Sequence, residues 1–179
     1  MKNFKSFILN ERNNYDDVEV YYISNDKEIF IILVKDGESI GGQYSGKPPT
    51  GESQFACMKV AIIKKYRGKG YGYGSLLYLT SLSILGERGL SPHRRKGSSR
   101  LDSQNVWIRL NEKDYIKRIP LELKLYDDND ILDSKYILTD NNMKNKFSNK
   151  AKKIGDDVDD KSNKFVVDAW KIVNKEMDN

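Results

Sequence analysis

Between Phe55 and Leu85 the chain passes from an apolar run, through a glycine-rich basic stretch, into a helix-forming run, and that order of strand, turn and helix organises the rest. Phe55, Met58, Val60, Ile62 and Ile63 mark a strand over Ser53 to Ile63. Tyr66-Arg67-Gly68-Lys69-Gly70-Tyr71-Gly72 follows, and Ser75-Leu76-Leu77-Tyr78-Leu79 opens a helix. Glycines in such a turn permit positive φ and close backbone approach, so successive amide N–H groups can face one point at the start of the helix. That point attracts an anion. Arg67 and Lys69 add charge beside the helix dipole, which suits a phosphate or pyrophosphate. The plainer alternative is a tight turn with solvated basic residues.

Arg67, Gly70 and Gly72 fit an Arg/Gln-x-x-Gly-x-Gly/Ala signature. With Tyr66, Gly68, Lys69, Tyr71, Leu76 and Leu77 around them, the stretch resembles the GNAT superfamily of N-acetyltransferases over residues 53–110. The resemblance implies an α+β (α/β) fold: a mixed, mainly antiparallel central sheet flanked by helices. It implies that Arg67, Gly68, Lys69, Gly70, Tyr71 and Gly72 hold the pyrophosphate of acetyl-CoA. It further implies that the preceding strand splays from its neighbour, and that backbone groups around Val60 to Ile63, Val60 and Ile62 among them, pair with the pantetheine arm and the acetyl carbonyl. A backbone donor there polarises the carbonyl as an oxyanion hole does. Ser91-Pro92-x-Arg94 followed by Val106-Trp107 is similar to acetyltransferase-like proteins of tailed bacteriophages.

Ahead of this stretch, Phe4, Phe7 and Ile8 predict a short amphipathic N-terminal helix, taken as residues 1–16. Val18 to Ile23 and Glu28 to Val34 are β-rich runs around the turn Ser24-Asn25-Asp26-Lys27, an antiparallel hairpin. Lys35-Asp36-Gly37-Glu38 turns into a third strand over Ser39 to Tyr44, and Ser45 to Ser53 reads as a loop beside a cleft. Gly41 to Lys47 imitates a nucleotide loop but runs into Pro48, where a metal-binding hydroxyl and a helix are required.

Beyond the glycine turn, Tyr71, Tyr78, Leu82 and Leu85 share one helical face, and the helix ends near Gly86 or Gly89. Gly89 to Ser99 is basic and polar where relatives carry a clear strand. Ser98 to Lys113 predicts a helix burying Leu101, Val106, Trp107 and Leu110. Ile119 to Tyr126 and Lys135 to Leu138 alternate as strands. Asp127-Asp128-Asn129-Asp130 lacks the central Gly and terminal Glu of a calcium loop and reads as a solvated turn, so no metal is expected. Asn141 to Lys164 is polar, a loop or linker, before Val166, Ala169, Trp170 and Val173 mark a terminal amphipathic helix. The expected organisation is an N-terminal helix at 1–16, an acetyltransferase-like domain at 17–140, and a linker with helix at 141–179.

The 179 residues suffice for one domain and an extension, and a formal charge of +5 permits anionic partners without demanding nucleic acid. The single cysteine, Cys57, excludes an intrachain disulfide and a multi-cysteine zinc site. Its place in an apolar strand marks it as core filler. The apolar stretch at the N-terminus is too short for a signal sequence, no membrane partner is expected, and the cytoplasm of a cell or an infected host is the expected compartment.

The activity implied is acetyl transfer from acetyl-CoA to an amine: a protein lysine, an N-terminus or a small amine. A base must take the amine's proton. Glu52 at the edge of the central strand is the first candidate and His93 the second, each with a solvated surface role as the alternative. The position of Trp107 matches a family tyrosine that protonates the leaving thiolate, and indole has no such proton to give. A rival reading is therefore a binding or structural protein that kept the fold without turnover. A nucleic-acid-binding module, with tyrosines interleaved among basic residues, is a third.

Overall fold

The structure, a computed structural model, describes residues 15–67, 70–94, 101–126, 130–155 and 159–175. The expected N-terminal helix, Gly68, Lys69, Ser98 and Ser99 fall outside the described residues, apart from Tyr15 and Asp16. Among the described residues, eight strands form one mixed, mainly antiparallel sheet with four α-helices: β1 (Glu19–Ser24), β2 (Glu28–Lys35), β3 (Glu38–Gly46), β4 (Phe55–Ile62), α1 (Tyr73–Leu85), β5 (Leu90–Ser91), α2 (Leu101–Asn111), β6 (Ile116–Pro120), β7 (Ser134–Leu138), α3 (Asn141–Lys150), β8 (Ala151–Lys153) and α4 (Asp160–Lys175). Across the sheet the order is β6-β7-β5-β4-β3-β2-β1-β8.

The first four strands form an antiparallel meander. Asn25 Oδ1 accepts the amides of Lys27 and Glu28 at 2.8 and 2.9 Å, closing the first turn. Asp36 and Gly37 close the second with φ of 52° and 77°, the left-handed pair of a tight hairpin. Between Glu28 and Lys35 at its ends, β2 is apolar because both its faces are covered. Ile29, Ile31 and Leu33 join the core beneath α1, and Phe30, Ile32 and Val34 join a second core beneath α4.

α1 is buried on nearly every side, as its Tyr-Gly-Ser-Leu-Leu-Tyr-Leu composition requires. The sheet lies on one side and α3 on another, where Ser83 Oγ donates to Lys144 O at 2.6 Å. Trp107 of α2 completes this core at 1% exposure, 5.2 Å from the rings of both Tyr78 and Tyr136.

Three segments differ from expectation. The basic stretch after Gly89 begins with a strand of two residues, Leu90–Ser91, which pairs on both edges before Pro92 ends it. The strand sought over Ile119 to Tyr126 lies earlier, at Ile116–Pro120, because the amides of Leu125 and Tyr126 turn onto the Asp133 carboxylate instead of a neighbouring strand. The polar stretch after Asn141 holds a helix and a strand. Asp140 Oδ1 caps α3 through Met143 N at 2.8 Å, Phe147 is buried against Tyr15, and β8 then extends the sheet beside β1. The terminal helix forms as expected: Phe165, Ala169 and Val173 are buried, and Trp170 lies edge-on to Phe30 and Tyr44.

Candidate functional site

β4 and β5 run parallel, but only Phe55 with Leu90 and Ala56 with Ser91 pair. Past Ala56 the pairing ends because β5 itself ends at Ser91, and the rest of that edge of β4 pairs with no strand among the described residues. The other edge of β4 is irregular. Tyr44 pairs with Lys59 and Ser45 with Cys57, so Met58 is an extra residue, a β-bulge. The bulge explains a switch in facing: Cys57, Val60 and Ile62 lie on the α1 side, while Ala61 packs beneath α4 and Lys59 lies 5.6 Å over the Trp170 ring.

At the far end of β4 a 3-10 turn, Lys64–Tyr66, leads to the glycine stretch. Gly70 and Gly72 have φ of 74° and 72°, and Gly72 is the N-cap of α1. A side chain at 72 would be strained by that φ and would also sit 3.2 Å from the Tyr15 hydroxyl. No side chain caps α1 and its first turn holds no acid. Helix geometry leaves the amides of that turn without intrahelical acceptors, a partial positive charge that faces an anion. Tyr71 stacks on Tyr73 at 5.4 Å and 7°, and Tyr66 meets both rings edge-on. Tyr73 in turn donates to Asp17 Oδ2 at 2.8 Å, and Lys35 neutralises that carboxylate at 2.9 Å.

The guanidinium of Arg67 points back to the strand and donates to Ile62 O from Nε and Nη2. Of the other expected cofactor residues, Val60 is half-buried, Ile62 is buried, and Gly70 is exposed at the turn. Beside the first turn of α1, Ser75 and Leu79 face Val106, Arg109, Leu110, Lys113 and Tyr115 across a groove of about 20 Å³, room for little more than a water.

Of the two candidate bases, Glu52 is bonded to Arg94, the residue that follows His93 beyond β5. Arg94, 4% exposed, donates through Nε to Glu52 Oε2 at 3.2 Å, through Nη2 to Glu52 Oε1 at 3.3 Å and to Leu123 O, and through Nη1 to Asp133 Oδ1 at 2.8 Å. Thr50 Oγ1 adds a 2.6 Å bond to Glu52. Burial pushes the Glu52 carboxyl up, but the Thr50 hydroxyl and the Arg94 guanidinium together outweigh it and hold it below its ordinary value. His93 is half-buried, and its carbonyl accepts the Tyr126 hydroxyl. Composition gave no hint of the Arg94 centre. No local signal marked it either: Arg94 lies in the basic run His93-Arg94-Arg95-Lys96, and Asp133 follows Asp127-Asp128-Asn129-Asp130, so neither charge stands out from its neighbours.

Under α1 runs a buried polar line. Gln43 donates to Ser45 at 3.3 Å, Ser45 faces Cys57 across the ladder, and the Cys57 thiol reaches the Tyr78 hydroxyl at 3.7 Å. Burial pushes the Cys57 thiol up to about 12 and raises Tyr78 well above the ordinary phenol value. Neither group ionises at neutral pH. Among the described residues, no three His, Cys, Asp or Glu side chains gather to hold a metal, and no helix is long and apolar enough to cross a membrane.

No family model matches this chain, and no curated protein or solved structure matches it either.

Proposed function

We propose that the chain is an acetyl-CoA-dependent N-acetyltransferase of the GNAT superfamily, acting on a protein lysine, an N-terminus or a small amine in the cytoplasm of a cell or an infected host. One observation carries the reading: a parallel strand pair that ends after two residues and leaves the rest of that β4 edge without a strand among the described residues, with a glycine-capped, otherwise uncapped helix starting at the far end of β4. Such an edge accepts an extended arm along β4 while the helix start takes a diphosphate. The residues fit that ligand. Gly70 and Gly72 bring backbone close, Lys64, Lys65 and Arg67 surround the turn with positive charge, and the Met58 bulge interrupts the ladder on the other edge of β4.

When bound, acetyl-CoA supplies an acetyl group activated as a thioester. The chain's own part is to orient and to exclude water. First-turn amides of α1 bind the diphosphate, and the open edge of β4 offers backbone donors to a carbonyl. Holding the amine against that carbonyl accounts for much of the rate. Glu52, already bonded by Thr50 and Arg94, serves as a wall of the site. The amine proton then leaves through His93 or water. Trp107, enclosed by Tyr78 and Tyr136, is a packing residue, so the proton for a departing thiolate would have to come from another acid or from water.

That last pair of observations also favours a second reading, a GNAT-fold binding protein that holds CoA without turnover. Release of free thiol from acetyl-CoA, measured over a panel of peptides and small amines, separates the two. Amine-dependent release supports the enzyme. CoA binding with no release on any amine supports the binding protein, and absence of CoA binding ends both.

A further inference from the structure

The β4–β5 pair is held by few direct bonds: two residue pairs, the Phe55 amide on Gly89 O at 3.2 Å, and Ser91 Oγ on Phe55 O at 3.4 Å. What holds the end of β5 in place beside β4 must therefore lie largely outside the pair. The Arg94 centre is placed to do so. It joins the loop ahead of β4 through Glu52, the segment after β5 through Arg94 itself, the loop over 121–126 through Leu123 O, and the approach to β7 through Asp133. Asp133 also receives the amides of Leu125 and Tyr126, and the Tyr126 hydroxyl returns to His93 O. The guanidinium side chain is 0% exposed and the Asp133 side chain 2% exposed.

One cation between two carboxylates is a net negative group taken out of water. Desolvation makes such a centre a poor source of stability compared with apolar packing of the same volume. What it provides is directed geometry: a planar fork can bond two carboxylates and a carbonyl at fixed angles, and an ammonium cannot. We propose that Arg94 is a positioning residue that holds the end of β5 and the loop ahead of β4 in place, and so sets how the unpaired edge of β4 meets the extended arm of a CoA-type ligand. This rests on the acetyl-CoA reading of the site. The glycine turn lies at the other end of β4 and shares none of these bonds. Arg94 therefore acts on the arm and not on the diphosphate.

The test is calorimetric titration of Arg94→Lys and of wild type with two ligands: CoA, and ADP, which carries the diphosphate without the pantetheine arm. A thermal melt accompanies each protein. For Arg94→Lys the expected result is CoA affinity lower by about tenfold or more, ADP affinity unchanged and a cooperative melt. Equal loss of both ligands, or loss of neither, overturns the proposal. Glu52→Gln, which keeps shape and removes one charge, is expected to show the same selectivity at smaller size, and it decides the matter if Arg94→Lys fails to fold. Wild type that binds no CoA overturns the acetyl-CoA reading itself, and this inference with it, before any variant is compared.

Discussion

The guanidinium of Arg67 makes two hydrogen bonds to one acceptor, the carbonyl of Ile62, at 3.1 Å from Nε and 2.9 Å from Nη2. The last peptide of β4 is thereby tied to the residue that leads into the glycine stretch. In the proposed reading the anion seat consists of backbone amides, and the Arg67 side chain contributes as a brace. With Ile63 N on Ile40 O at 2.9 Å, the brace fixes where the strand stops.

Removing that brace should be felt locally. Arg67→Ala is expected to lower stability by about 1 kcal/mol and to speed amide exchange at the end of β4, with Arg67→Lys intermediate because it offers one donor in place of a fork. Denaturant titration and hydrogen exchange measure this. An Arg67→Ala protein with unchanged exchange at the end of β4 would show that the bonds to Ile62 carry nothing.

Gly70 allows charge to be separated from strain. Its φ of 74° is one that Asn and Asp tolerate best among side-chain residues, and a Cβ there meets nothing within 4 Å. Gly70→Asn and Gly70→Asp should therefore fold equally well, each about 1 kcal/mol below wild type. Only Gly70→Asp, which sets a carboxylate in the diphosphate seat, should abolish CoA binding. Equal CoA affinity in the two variants would count against the seat.

Much of this was legible in the residues. Phe55 to Leu85 read as strand, turn and helix because each local preference agreed with the others: β-branched residues, then glycines, then leucines at helical spacing. The beginning of β5 was missed because two residues cannot show a period, and Leu90–Ser91 is a strand only by virtue of its neighbours. α3 was missed because its polar composition hid the Asp140 cap and the Met143–Phe147 spacing, which were the usable signals. The Met58 bulge and the Arg94 centre are tertiary facts. The first depends on the register of β3, and the second joins residues 39 and 42 positions apart.

Cys57 should behave as core filler. Burial raises its thiol to about 12, so a thiol reagent at pH 8 is expected to leave the folded protein unmodified and to react at once on denaturation. Cys57→Ser should retain any acetyl transfer the wild type shows. Rapid modification of the folded protein, quantified by mass spectrometry, would place the thiol at an accessible surface instead.

The acid limb of stability should belong in part to Asp133. Burial raises its carboxyl, but the Arg94 bond and the amides of Leu125 and Tyr126 outweigh burial and hold it below its ordinary value. A folded-state value lowered in this way gives stability that is fully present above the unfolded value, near pH 4, and is lost as pH falls through the lower folded value. Asp133→Asn is expected to cost about 3 kcal/mol at neutral pH and to flatten the decline below pH 4. A variant whose stability falls with acid as steeply as wild type would remove Asp133 from this account.

The central claim is that amides at the start of α1 receive a diphosphate while the open edge of β4 receives the arm attached to it. Backbone NMR of isotopically labelled protein during a CoA titration addresses both halves at once. The account predicts one saturable event in which the amides of Gly70 to Ser75 and those of Met58 to Ile62 shift together, with ADP moving only the first group. Shifts spread over exposed lysines without saturation, or none at Gly70 to Ser75, would contradict it.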